Sequence, residues 1–274
     1  MSVPGALADR PIGVFDSGIG GLSVLNALRE ALPHERFAYF ADTAHAPYGE
    51  RGDAYVAQRT GTVARYLRER HGIKALVVAC NTATAAAIHE LRAEHPNLPV
   101  VGVEPALKPA VAASRTGHIA VLATRVTVES RKFEALRTSL AGQAQFRVIP
   151  CDGLAGAIER GDGAGIAALS ERYLRQAGRF GTAPGEIDTL VLGCTHYPFI
   201  ADELRRHCGR AVRFIDTGAP VALQTQRLLA QAGKLSANGE GAVALLSSAA
   251  PDGLDAAAAR WLARPAVPAS LAGA

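Results

Sequence analysis

Lysine is scarce in this sequence: Lys74, Lys108, Lys132 and Lys234 are the whole complement, against 25 Arg. None of the four lies in a Gly/Ser-rich loop at a strand end, where a Schiff-base lysine for pyridoxal chemistry would be expected. The four cysteines, Cys80, Cys151, Cys194 and Cys208, form no CxxC pair and no Cys/His spacing of the zinc type. No metal is therefore expected. A GxSxG elbow is absent, which removes the common serine-hydrolase arrangement. The loop DSGIGG, Asp16 to Gly21, has Ser23 where the dinucleotide fingerprint needs its next glycine. It also lacks the Lys-Ser/Thr ending of a phosphate loop. No cofactor is expected.

Long apolar runs are missing too. Ala75 to Ile88 is interrupted by Asn81, Thr82 and Thr84 and is too short to span a bilayer. The start, MSVPGALADR, lacks the basic segment and apolar core of a secretory signal. The expectation is a cytoplasmic protein with free thiols and no membrane association. A net charge of +4 is spread over scattered arginines. With no basic run and no basic stripe interleaved with aromatics, nucleic acid is not an expected partner.

What is present is ordinary globular material: 274 residues, 49% hydrophobic and 20% charged. That is ample for one large or two medium domains. Short β-branched runs alternate with Ala/Leu/Arg-rich helical stretches. Strands are predicted at Ile12–Phe15, Phe37–Phe40, Ala75–Ala79, Val100–Val103, Ile119–Leu122, Phe146–Ile149, Thr189–Leu192 and Arg213–Ile215. Several are almost wholly apolar, as strands covered on both faces are. Helices are predicted over Gly21–Leu32, Tyr55–Arg70 and Gly165–Ala177. The pattern is α/β with mainly parallel sheets flanked by helices, binding ligands at the carboxyl ends of strands. The Ala/Pro-rich end, Ala263–Ala274, reads as a loose tail.

A faint repeat runs through the chain. ALVVACNTATA, from Ala75, is echoed by TLVLGCTHYP, from Thr189. PIGVFDSG, from Pro11, is echoed by HIAVLATR, from His118. Two similar α/β lobes follow, each presenting one cysteine, Cys80 or Cys194, at a strand end. A thiol between a strand and a helix N-terminus meets unpaired backbone N–H groups, which favour thiolate. One such cysteine is commonly a space-filling core residue. Two at equivalent points suggest paired acid/base work. Inverting a carbon centre needs one group to remove a proton and another to return it on the opposite face.

The remaining candidates read as follows. Asp16 and Ser17 stand at a strand end, where they can pair with an ammonium group, donate to a carboxylate, or orient a thiol. His196 follows Cys194-Thr195 and can hold a thiolate or assist proton transfer. Tyr48, in ADTAHAPYGER, reads as a capped core aromatic. Glu159 reads as a solvated helix residue. Cys151 and Cys208 read as structural. These residues leave three readings open: a two-thiol isomerase, a bilobal binding module, and a thiol redox pair.

The motifs IGVFDSGIGGLSVL, ADTAHAPYGER, VVACNTATA, VGVEPALKPA, LVLGCTHYP and FIDTG, in this order from Ile12 to Gly218, resemble the glutamate racemase group of the aspartate/glutamate racemase superfamily. The resemblance implies two lobes with the active site in the cleft between them. Residues 1–102 with 216–274 would form the first and residues 103–215 the second. It implies cofactor-independent interconversion of L- and D-glutamate, supplying D-glutamate for peptidoglycan and so for cell-wall biogenesis and cell shape. Cys80 and Cys194 become the catalytic thiols, with Asp16 and His196 assisting. Ser17, Tyr48, Gly49, Asn81, Thr82, Thr124, Thr127 and Thr195 join Asp16 and His196 as substrate contacts. Glu159 becomes an assisting acid, although DGLAGAI replaces the Pro/Leu/Phe/Val-rich stretch usual before it. Ala123 replaces a usual Gly, which would narrow the pocket slightly. A homodimer is a further expectation of the resemblance. The Ala-rich end of the chain resembles nothing specific.

Overall fold

The first strand, β1 (Ile12–Asp16), is buried at every residue, and its neighbours are equally dry. β2 (Phe37–Ala41) and β3 (Ala75–Val78) are also buried throughout. Such runs expose no polar face, so they suit a parallel sheet covered by helices on both sides. That is the architecture of the computed structural model, which describes residues 7–263. The remaining strands are β4 (Val100–Gly102), β5 (His118–Ala123), β6 (Gln145–Pro150), β7 (Thr189–Leu192), β8 (Arg213–Ile215) and β9 (Val243–Ser247). Among the described residues no helix is long and apolar enough to cross a membrane.

The chain divides into two compact units, one ending at Val103 and resuming at Gly218, the other running Glu104–Thr217. The first holds a five-stranded sheet in the order β4-β3-β1-β2-β9. The second holds a four-stranded sheet, β6-β5-β7-β8. Every pairing is parallel. The α/β class with parallel sheets, expected from the alternating pattern, is therefore found.

The two sheets share one plan. Counting strands within each unit, both follow the order second-first-third-fourth, and the first unit adds β9 outside its second strand. β1 thus corresponds to β5, and β3 to β7, as the sequence echoes predict. In both units the strand order reverses between the first and third strands. The crevice at the carboxyl ends of that pair is where open α/β sheets bind ligands.

All eight expected strands are present, with small shifts at their ends. The ninth, β9, was not anticipated. It lies in the Ala-rich end and pairs with β2, Phe37 opposite Val243. Its last three residues are only half-buried, as at a sheet edge, so its apolar pattern is short and weak. The expected helices are found at Leu22–Ala31, one residue shorter at each end, and at Asp53–His71 and Gly163–Ala177, both longer than expected. Asp162 caps the last by accepting from Gly165 N. Gly72, at φ 57°, ends the second in the left-handed conformation that glycine adopts without strain. The tail predicted at Ala263–Ala274 lies, beyond its first residue, outside the described residues.

Candidate active site

In the first unit, β1 and β3 deliver Asp16 and Cys80 to the same crevice. Asp16 is fully buried. Its Oδ1 accepts from the Ser17 backbone N at 2.6 Å and from Ser17 Oγ at 3.2 Å. Its Oδ2 accepts from the Gly21 backbone N. The carboxylate therefore holds the DSGIGG turn closed. Gly21 has to be glycine, because a Cβ there would lie 2.7 Å from Asp16 Cβ and 3.1 Å from Ala79 Cβ. Tyr39, from β2, braces the turn by donating its hydroxyl to Gly18 O at 2.8 Å.

Cys80 stands two residues past β3, in extended conformation, as the N-cap of the helix Asn81–Glu94. Its Sγ lies 3.4 Å from the Ala83 N–H and 3.7 Å from Ser17 Oγ. A backbone N–H at a helix start stabilises negative charge on sulfur. Cys80 is thus joined through the Ser17 hydroxyl to the Asp16 carboxylate. Thr82 is buried in the first turn of the same helix. Asn81 is buried, and neither atom of its amide group has a hydrogen-bond partner among the described residues. Leaving both ends of a buried amide unpaired is costly. Such a group beside a candidate nucleophile suits a polar ligand.

Tyr48 is buried at the start of a 3-10 turn, Tyr48–Glu50, with Gly49 half-buried beside it. Its hydroxyl donates to Asp42 Oδ2 at 2.6 Å. Asp42 also takes Arg59 Nε at 3.1 Å and Nη2 at 2.8 Å. Burial pushes the Asp42 carboxyl up, but hydrogen bonds from Arg59, Tyr48 and Ser248 outweigh it and hold the carboxyl below its ordinary range. Burial and the Asp42 carboxylate push the Tyr48 phenol up, keeping it protonated. The reading of Tyr48 as a capped core aromatic describes this geometry well. Asp42 and Arg59 were not singled out in the sequence. Asp42 alone carries a signal, since it directly follows a strand, β2, as Asp16 ends one.

In the second unit, Cys194 stands two residues past β7, as Cys80 does past β3. The residues between sit alike: Ala79 N donates to Phe15 O at 2.7 Å, and Gly193 N to Leu122 O at 2.7 Å. A Cβ on Gly193 would lie 2.8 Å from Leu122 O and 3.0 Å from Ala123 Cβ. The Ala123 methyl therefore packs against Gly193. Here the expected α-helix start is instead a 3-10 turn, Tyr197–Ile200, with Pro198 in its first turn. The polar partner of Cys194 is instead a side chain. Its Sγ lies 3.7 Å from His196 Nδ1, and His196 Nε2 lies 2.5 Å from Glu159 Oε2.

Glu159 is the last residue of the helix Leu154–Glu159, and only 24% of its side chain is exposed. The sequence reading of a solvated helix residue is corrected by this pairing. Burial drives the His196 imidazole toward neutrality, but hydrogen bonds with Cys194 and Glu159 overcome it and raise its pKa well above the ordinary value. An imidazolium at this position faces sulfur on one side and carboxylate on the other. Thr195 is buried between Cys194 and His196.

Thr124, one residue past β5, caps the helix Arg125–Glu129 by accepting from Thr127 N, and the two hydroxyls lie 2.9 Å apart. Cys151 is buried, its thiol pushed up by desolvation beside Tyr197. Cys208 is buried and pushed up to about 12 by desolvation. Both fit the structural role expected of them.

Comparison with known proteins shows the family and the fold. Residues 12–225 match the family Asp/Glu/Hydantoin racemase. A glutamate racemase of Pseudomonas paraeruginosa is 46% identical over 91% of this chain and 93% of its own length. One from Ralstonia pickettii is 48% identical over 86% of this chain and 81% of its own. Among solved structures, glutamate racemase isoform RacE1 from Bacillus anthracis superposes with a TM-score of 0.83 at 30% identity, covering 95% of this chain and 96% of that one. Escherichia coli glutamate racemase, solved with L-glutamate and the activator UDP-MurNAc-ala, gives a TM-score of 0.79 at 31% identity over 92% and 95%. The chain belongs to the Asp/Glu/Hydantoin racemase family and is an isomerase of the amino-acid racemase type.

Proposed function

We propose that the protein interconverts L- and D-glutamate, without a cofactor, by two-base proton transfer through Cys80 and Cys194. The observation that carries this reading is their shared placement. Each thiol stands two residues beyond the third strand of its sheet, at the point where strand order reverses. Each is linked through one polar side chain to a carboxylate: Cys80 through Ser17 to Asp16, and Cys194 through His196 to Glu159.

In one direction a thiolate takes the Cα proton, breaking C–H and forming S–H. The electron pair passes to Cα and its carboxylate. The other thiol returns a proton to the opposite face and becomes thiolate. The reverse direction exchanges the two roles. The Ala83 N–H steadies charge on Cys80 and His196, held by Glu159, steadies it on Cys194, while Ser17, whose proton goes to Asp16, orients the Cys80 thiol. The unpaired Asn81 amide, Thr82, Thr195 and the Thr124–Thr127 hydroxyl pair offer hydrogen bonds to the amino acid, with Ser17, Tyr48 and Gly49 completing the contacts. The D-glutamate formed would supply peptidoglycan synthesis in the cytoplasm.

The test is circular dichroism of L-glutamate incubated with the purified protein under reducing conditions, with L-aspartate in parallel. Decay of the glutamate signal toward zero is expected. Decay with aspartate alone would reassign the substrate, and no decay with either would end the racemase reading.

A further inference from the structure

At the amino ends of β1, β3 and β4, away from Asp16 and Cys80, the first unit contains a cavity of about 550 Å³. Its walls include Arg10 just before β1, Arg68 near the end of the helix Asp53–His71, His95 just after the helix Asn81–Glu94, and Lys234. Among the described residues Glu94 is the one acidic residue in the lining. Lys74 also contributes to the wall, but its charge is spent on Glu35 in a buried ion pair. Three cations thus face one carboxylate.

The decisive group is His95. It is buried, 6% exposed, at the C-cap of its helix. Arg68 Nη1 lies 2.8 Å from His95 Nδ1. A guanidinium can only donate, so Nδ1 is the acceptor and the ring proton sits on Nε2. That Nε2 is buried and has no hydrogen-bond partner among the described residues. A buried N–H without an acceptor is costly, and here it belongs to a residue lining a basic cavity. Cations alone would make a solvated patch. Cations around an orphaned donor call for an oxyanion.

We infer that this cavity is a binding site for a small molecule carrying a phosphate or carboxylate group, held by His95 Nε2–H with Arg10, Arg68 and Lys234. The site is separate from the racemase reading and does not depend on it. Nothing in the proton-transfer chemistry uses these residues.

The test is isothermal titration of the whole protein with inorganic phosphate and, separately, with succinate, in a buffer free of both. Three proteins are compared: the native chain, Arg68→Gln and His95→Phe. Arg68 is exposed and its replacement leaves the core intact, while phenylalanine keeps the ring volume of His95. Saturable one-to-one binding, weakened about tenfold or more in each variant, is expected from the loss of a hydrogen bond to a charged group. Binding of phosphate alone marks a phosphate ligand, and binding of succinate alone marks a carboxylate ligand. Binding unchanged in both variants, or no saturable binding of either anion, overturns the proposal.

Discussion

Glu159 Oε2 lies 2.5 Å from His196 Nε2, and the other ring nitrogen of His196 faces Cys194 Sγ at 3.7 Å. The carboxylate holds the imidazole in a charged, oriented state beside the sulfur. Because the pKa of His196 is raised in the folded protein, its stabilising contribution is fully present below the unfolded value of about 6.5 and is lost as pH rises through the raised one. Glu159→Gln removes the carboxylate and keeps the shape. Its expected effect is a rate lower by about tenfold to a hundredfold, with the alkaline limb of the pH–rate profile moved to lower pH. A profile superimposable on that of the native enzyme would remove Glu159 from the proton-transfer chain.

The thiols can be tested one at a time. Cys80→Ala and Cys194→Ala are each expected to lower racemisation by about three orders of magnitude or more, since neither face can then complete the exchange. Far-ultraviolet circular dichroism should show the fold retained. A single variant with full activity would sink the two-base mechanism.

Gly193 touches the β5 backbone where any side chain would collide, with Leu122 O only 2.8 Å from an ideal Cβ. Backbone atoms cannot swing aside as a flexible side chain can. Gly193→Ala is expected to cost about 1–3 kcal/mol in urea unfolding and to displace Cys194, lowering kcat more than it raises KM. An unchanged midpoint would show that the strand end yields easily.

Asp188 anchors the loop before β5. Its carboxylate accepts from Ser114 Oγ at 2.6 Å and from the backbone N of Arg115 and Thr116 at 2.6 and 3.0 Å. Burial pushes its carboxyl up, but these bonds and the Thr189 hydroxyl bring it down to about 2. The lowered value means that the stabilisation is present above the unfolded value of about 3.9 and is lost as pH falls toward 2. Asp188→Ala is expected to cost about 2 kcal/mol at neutral pH. The difference from the native chain should shrink in acid unfolding below pH 4. Equal unfolding midpoints at neutral pH would show the loop held by other contacts.

The sequence by itself determined the local elements and the repeat. Runs such as Ile12–Asp16 and Thr189–Leu192 are apolar at every position or nearly so and short, which suits a strand covered on both faces. Cys80 and Cys194 were legible because a strand end fixes where the next two residues stand, and the echo marks them as a pair. The tertiary structure decided what each polar side chain meets. Glu159 and His196 are 37 residues apart, and Tyr48 meets Asp42 and Arg59 only when a strand, a turn and a helix converge. β9 joins β2 across some 200 residues of chain, with an edge pattern too short to announce itself. Hydrophobic periodicity is a local property of the chain. A hydrogen bond between distant residues is set by packing, and packing is settled only when all the elements are in place.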